Sequence, residues 1–265
     1  MSATPASDSV IPGPAAAGSG FRVQRLDYAP GHRLAPHAHD RIGITLVVDG
    51  LLREVAHGTE EDASALSVVV KPAGTMHGNE VGPRGARTIR VEIVDETLLL
   101  EDAHRLGPWR WMHAGPGVQP LLAIGRALLD PASGAALDEM VLELLGEVAK
   151  APTPRSGDAP VWIRRAREAL DDLALCGIEV RDLAALLRVH PVSLTRAFRR
   201  AYGVPVTTYR RRVRLRRAAE QIAGTDRTMC AIAHAAGYSD QSHMCREVQA
   251  TTGLTPSGLR AAARA

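Results

Sequence analysis

One pattern occurs twice in the C-terminal part of the chain: a short apolar helix, a tight turn, and a second helix with a single buried stripe. In the later copy, Ala231 to Arg260, small residues Ala233 and Ala236 allow another helix to come close. Gly237 stands where the chain must leave the helix, and glycine reaches positive φ without a Cβ clash. Asp240 is placed to cap the next helix, with Met244 and Val248 one turn apart and facing inward. Gln241, Ser242, Cys245, Arg246 and Gln249 are left facing outward, and Gly253 with Pro256 makes a second stop. In the earlier copy, Val180 to Tyr202, Leu183, Ala184 and Leu187 form the apolar face and Arg188 to His190 the turn. Pro191 opens the following helix, where its missing N–H costs nothing. Leu194 and Phe198 supply the buried stripe, leaving Val192, Ser193, Thr195, Arg196, Arg199 and Arg200 exposed. From Ala184 to Leu194 is ten residues and from Ala233 to Met244 eleven, so the second turn is one residue longer.

Each copy has the form of a helix-turn-helix, whose second helix carries its polar face into the DNA major groove. Between the copies Val206, Tyr209, Val213 and Ile222 recur at helical spacing. About eighteen residues at 1.5 Å rise make a rod of roughly 27 Å. That approaches the ~34 Å between successive major grooves on one face of DNA. Base contacts are expected from Val192, Thr195 and Arg196, with Ser193 and Arg199 beside them, and from Gln241, Ser242, Cys245 and Arg246. Arg210, Arg211, Arg212, Arg214, Arg216 and Arg217 crowd the rod. Like charges one turn apart are destabilising unless an anion compensates, so Arg211 and Arg212 are expected to meet phosphates.

These residues resemble the DNA-binding domain of the AraC/XylS family of bacterial transcription regulators. The resemblance rests on RDLAALL, the LTRAFRR run with Tyr202-Gly203, Tyr209, Arg214-Leu215 with Ala218, GYSDQSH and GLTPSGLR, over residues 160–262. It implies helix-turn-helix units at about 180–201 and 228–251, double-stranded promoter DNA as partner, and RNA polymerase as a further one. The family's arginine at Arg214 is structural. Members carry phenylalanine where this chain has Met244 and Val248, and a serine cap where His190 stands.

Charge agrees with a division of labour. Residues 160–265 hold 18 arginines and 9 acids, a balance of +9, against −6 for the rest of the chain. A basic half joined to an acidic one is the electrostatic footprint of a nucleic-acid-binding domain attached to something else. Cys176, Cys230 and Cys245 form no C-x-x-C pair, which suits a reducing cytoplasm and no structural zinc. No apolar run is long enough to span a membrane, so none is expected as a partner.

The expected architecture is α+β and multidomain. Residues 1–20, rich in Ala, Ser, Pro and Gly, read as a disordered tail. From 21 to 115 short alternating strands are expected. They include Ile42 to Val48 with a hairpin at Asp49-Gly50, Val68 to Val70, and Ile89, Val91 and Ile93 alternating with Arg90 and Glu92. A short helix at Glu96 to Arg105 follows, and Trp109-Arg110-Trp111 reads as core packing or an aromatic lid. Helices at Val118–Leu129 and Ala135–Ala149 fill residues 116–150, and 151–159 is a linker of turn-forming residues.

Gly31-His32-Arg33-Leu34-Ala35-Pro36-His37-Ala38-His39, running to Gly50, and Pro72 to His77 resemble the two motifs of the cupin β-barrels. This implies a cupin-like barrel whose mouth holds a metal or a small ligand. His37, His39 and His77 become the candidate effector-binding residues, or ligands for zinc or nickel. The family's glutamate ligand is replaced at about Gly43 and its initial glycine at Leu66, and the missing carboxylate favours an organic effector. The family resemblance makes the helix pair a homodimer seam; covering the barrel is the alternative. The expected function is a one-component transcription regulator, not an enzyme. The rival reading is a metal-dependent cupin oxygenase or isomerase with an appended helical domain.

Overall fold

The computed structural model describes residues 10–95, 97–98, 106–130, 134–153 and 159–265. They divide into two compact units, one running to Lys150, with Ala261–Ala265 grouped with it, and one over Ala151–Arg260. No helix among the described residues is long and apolar enough to cross a membrane.

The first unit is an antiparallel sheet domain. Its strands are β1 (Val10–Gly18), β2 (Phe21–Tyr28), β3 (Arg33–His37), β4 (Gly43–Ala56), β5 (Thr59–Ser64), β6 (Ser67–Lys71), β7 (His77–Ile93) and β8 (Arg110–His113). The order is β1-β2-β7-β4-β6-β8, with β3 on β7 and β5 on β4. β4 and β7 are long because they pair with each other along one edge and each takes two further strands in succession along its other edge. The start of β4 pairs with β6, and its end, from Leu51, pairs with β5.

Asp49-Gly50 is therefore not a hairpin but a pair of irregularities inside β4, where the strand changes ladder. Gly50 has φ 83° there, and a Cβ would lie 2.1 Å from the Gly85 carbonyl oxygen, so only glycine fits. The tight hairpin is at His57-Gly58, both at positive φ, between paired residues Ala56 and Thr59. The expected disordered tail is also corrected. Residues 1–9 lie outside the described residues, but Val10–Gly18 is an edge strand on β2, with Pro12 next to a register shift where no ladder donor is required.

Two helices, α1 (Val118–Ala127) and α2 (Gly134–Lys150), pack against each other and the sheet. The close approach is explicit at Gly125, where a Cβ would meet Ile89 Cδ1 at 2.2 Å. They cover the face carrying Ile44, Leu46, Ile89, Val91 and Ile93, all buried. The polar residues that alternate with these, Thr45, Arg90 and Glu92, line a cavity on the other face rather than meeting solvent. Most of the short helix expected at Glu96–Arg105 lies outside the described residues, as do Pro131–Ser133 and 154–158 of the linker.

The second unit is all helical: α3 (Val161–Leu173), a 3-10 turn at Ala174–Cys176, α4 (Val180–Leu186), α5 (Pro191–Tyr202), α6 (Val206–Gly224), α7 (Met229–Ala235), α8 (Gln241–Thr252) and α9 (Pro256–Arg264). Ile163, Ala166, Leu170, Leu183, Ala184, Leu194, Phe198 and Val206 form one core. Tyr209 donates to Asp171 at 3.0 Å and stacks edge-on against Phe198, fastening α6 to α3 and α5.

Candidate nucleic-acid interface and ligand cavity

The internal repeat survives in three dimensions. α4 and α7 each span 7 residues, and α5 and α8 each span 12. In both copies the residue after the turn donates its N–H back to the small residue of the first helix at 3.0 Å: Val189 to Ala184, Tyr238 to Ala233. The turn residues Arg188 and Gly237 both lie at positive φ. The extra residue of the second copy is accommodated between Gly237 and the cap Asp240. Leu194 and Phe198 in one copy, Met244 and Val248 in the other, are fully buried, so the unusual aliphatic pair still seals its helix. Gly203 and Gly253 close α5 and α8 in the same left-handed conformation.

Both reading helices are capped. Asp240 accepts from the His243 N–H at 2.8 Å, and this bond, with Ser239 second, holds its carboxyl below the usual range. His190 replaces the expected serine by offering Nδ1 to the Val192 N–H at 3.2 Å, so its ring is a functional cap. Val192, Ser193, Thr195, Arg196 and Arg199 are exposed along α5, and Gln241, Ser242 and Arg246 along α8, with Cys245 half-buried among them. Thr195 donates its hydroxyl to the Pro191 carbonyl at 2.9 Å, which leaves it only an acceptor for a base edge. Arg196, Arg199, Arg200 and Arg246 make no hydrogen bond or ion pair among the described residues, so their guanidinium groups stand open.

Arginines of the run on α6 have partners within the unit. Arg210 bonds the Ile178 carbonyl, Arg214 bonds the Gly237 carbonyl and lies 5.2 Å over the Tyr238 ring, Arg216 faces Asp171 and Arg217 faces Glu220. Arg211 is exposed but 3.8 Å from Glu247, and Arg212 is half-buried, its pKa lowered by burial and by Arg211. Glu247, which sequence reasoning passed over, also accepts from Tyr238 at 2.9 Å and lies 3.5 Å from His243. It ties α8 to its turn and to α6. Burial and this carboxylate push the Tyr238 hydroxyl pKa up, so it stays a donor. The signal was a lone acid on an otherwise basic helix pair, on the buried side of Arg246.

A profile described as "Helix-turn-helix domain" matches residues 183–262. Residues 183–262 are an AraC-type helix-turn-helix domain. This AraC-type domain contains both reading helices and the connecting α6. No curated protein sequence matches the chain significantly. Among solved structures, the chain is similar to the C-terminal domain of AraT, a response regulator from Geobacillus stearothermophilus. The identity is 24%, over 39% of this chain and 87% of that one, with a TM-score of 0.38. It is also similar to apo ToxT K231A from Vibrio cholerae (13% identity, 91% of this chain and 96% of that one, TM-score 0.40) and to unsaturated fatty acid-bound wild-type ToxT (13%, 91% and 94%, 0.39).

A cavity of about 600 Å³ in the first unit is lined by His37, His39 and His77. His37 ends β3 and pairs in register with His77 at the start of β7. His39 lies beyond the end of β3, in a loop held by the Gly74 N–H to the His39 carbonyl at 2.8 Å. The three rings nonetheless meet, with centroids 4.4–5.2 Å apart and one ligand atom from each within 4.8 Å of the others. His37 and His77 place Nδ1 2.8 and 3.0 Å from the Ala35 and Thr75 carbonyls, so Nδ1 is the donor in each ring. Burial, then Arg90, brings His39 down to about 3. Burial, then Lys71, brings His77 down to about 4, so both are neutral at pH 7. Beside them Glu54 is fully buried and saturated by Lys71, Asn79 and Trp109. Its inward parity with Leu52 and Ala56 was the sequence signal for it.

Proposed function

We propose that the protein is a sequence-specific DNA-binding transcription regulator whose affinity for promoter DNA is set by a small molecule held in the cavity of the sheet domain. The observation that carries it is the duplicated helix-turn-helix, with two capped helices presenting open guanidinium groups and polar side chains. Arg196 and Arg246 are the guanine readers, able to take O6 and N7 bidentately, and Val192 packs on a thymine methyl. Arg199 and Arg200 serve the backbone, with a smaller share from Arg211 and Arg212 than their number suggested. The protein works as a cytoplasmic homodimer through α1 and α2, where Leu142 is an exposed apolar side chain on the outer face of α2, and it meets RNA polymerase at the promoter. Selection of binding sites from random duplexes tests the core of this reading: enrichment of a motif that Arg246→Ala degrades supports it.

The histidine cluster supports a second role. Three clustered imidazoles, two of them donating Nδ1–H to backbone carbonyls, are a fitting donor set for Zn²⁺ or Ni²⁺. His37, His39 and His77 would hold the ion, which would supply a Lewis-acidic anchor for an effector. The rival enzyme reading has no assigned task for the duplicated helix-turn-helix. Elemental analysis of tag-free protein, beside the His37→Ala, His39→Ala double variant, separates a metal-anchored effector from a purely organic one.

A further inference from the structure

Cross-strand register lines up a row of hydrogen-bonding side chains over the cavity wall. Gln24 pairs with Arg90, Arg90 with Thr45, Thr45 with Val69, and Val69 with Trp111. All five line the cavity. Side chains of directly opposed residues stand on one face, so the row is continuous, with Val69 its one apolar member. Two of its members are anomalous as ordinary wall. Trp111 is 9% exposed, and its indole N–H is buried with no hydrogen-bond partner among the described residues. A buried donor left unpaired is destabilising unless a ligand accepts from it. Arg90 occupies the space in front of Gly43: a Cβ there would be 3.5 Å from Arg90 Nε and 3.7 Å from its terminal nitrogen. Where the related barrels place a carboxylate, this chain has a glycine and a guanidinium.

The neighbouring charges do not use up these donors. Glu92 takes one Arg90 nitrogen at 3.1 Å and lies 3.9 Å from Arg41; Glu54 is saturated by Lys71, Asn79 and Trp109; Asp40 is exposed at the cavity's rim. The remaining arms of Arg90, the Thr45 hydroxyl and the Trp111 N–H therefore call for acceptor atoms. Leu26, Leu34 and Leu52 complete an apolar surround.

We infer that the cavity recognises a small organic carboxylate, its oxygens held by Arg90 and Trp111 and its apolar body laid against the leucines. This rests on the reading of the cavity as the effector site and adds the ligand's chemical class. It holds whether or not a metal sits on the histidines, because neither Arg90 nor Trp111 is a member of the imidazole cluster.

The test uses the full chain, with and without prior chelation, and four probes: benzoate, hexanoate, and their uncharged amides. Binding is followed by calorimetry, and affinity for a selected DNA site is measured in parallel. The expected result is millimolar or tighter binding of a carboxylate and binding of its amide weaker by about tenfold or more. Arg90→Gln should lose about tenfold for the carboxylate only, Arg90→Lys should recover part of it, and Trp111→Phe, which keeps the ring, should weaken it several-fold. Equal binding of acid and amide, unchanged affinity in both Arg90→Gln and Trp111→Phe, or no binding by any probe would overturn the inference. A carboxylate that binds as predicted but leaves DNA affinity unchanged would refute the effector reading while leaving the ligand class standing.

Discussion

The two copies of the turn make opposite predictions at equivalent positions. Arg188 has φ 54° and Gly237 φ 75°, so one copy holds an L-residue in the left-handed region and the other does not. A left-handed non-glycine residue costs about 1–2 kcal/mol, and glycine costs about 0.5–1 kcal/mol in unfolded-chain entropy. Arg188→Gly should thus stabilise by about 0–1 kcal/mol, its side chain being exposed. Gly237→Ala combines the same left-handed penalty with a clash, because its Cβ would sit 2.8 Å from the Leu175 carbonyl oxygen and 3.1 Å from its Cα. Backbone must move, which adds about 1–3 kcal/mol and brings the net loss to roughly 2–4 kcal/mol. Urea unfolding of the full chain, followed by helical circular dichroism, measures both. A neutral Gly237→Ala, or an Arg188→Gly that costs more than about 1 kcal/mol, would refute the equivalence of the two turns.

Arg196→Ala and Arg246→Ala should each weaken a selected site by about 1–3 kcal/mol and relax preference at a few base pairs, as seen in competition against variant duplexes. Arg199→Ala should weaken all sequences alike and reduce the salt slope by about one, measured by titration across ionic strength. Glu247→Gln should loosen α8 through Tyr238 and Arg211 without touching a base, so affinity should fall while the ranking of sequences is kept. Asp240 has a folded pKa below its ordinary 3.8, so its cap contributes above that value and is lost as pH falls through the folded pKa. Asp240→Asn should remove that acid-limb dependence in a pH series of thermal melts.

The helical half was legible because its signals are local. Gly237, Pro191, Gly203 and Gly253 punctuate the chain where the helices stop and start, and the buried stripes have a single period. The sheet half was less so, because both faces of β4 and β7 are enclosed. Ile89, Val91 and Ile93 alternate with Arg90 and Glu92 as in a half-exposed strand, but the apolar side lies under α1 and α2 and the polar side lines a cavity. Asp49-Gly50 has the chemistry of a hairpin turn, and tertiary pairing with β7 spent it on a bulge. The partners of Arg216, Arg210 and Arg214 come from distant segments, Asp171, Ile178 and Gly237, which no local window contains. Leu66 shows the same override: at φ 64° it holds a left-handed backbone while its side chain is fully buried in the core.

Footprinting of the full chain on a site selected from random duplexes tests the central claim most directly. Two helix-turn-helix readers joined by α6 predict two protected major-groove segments on one face, about 10 base pairs apart. Arg196→Ala should expose one and Arg246→Ala the other. A single protected segment, or two that both survive each substitution, would contradict the account.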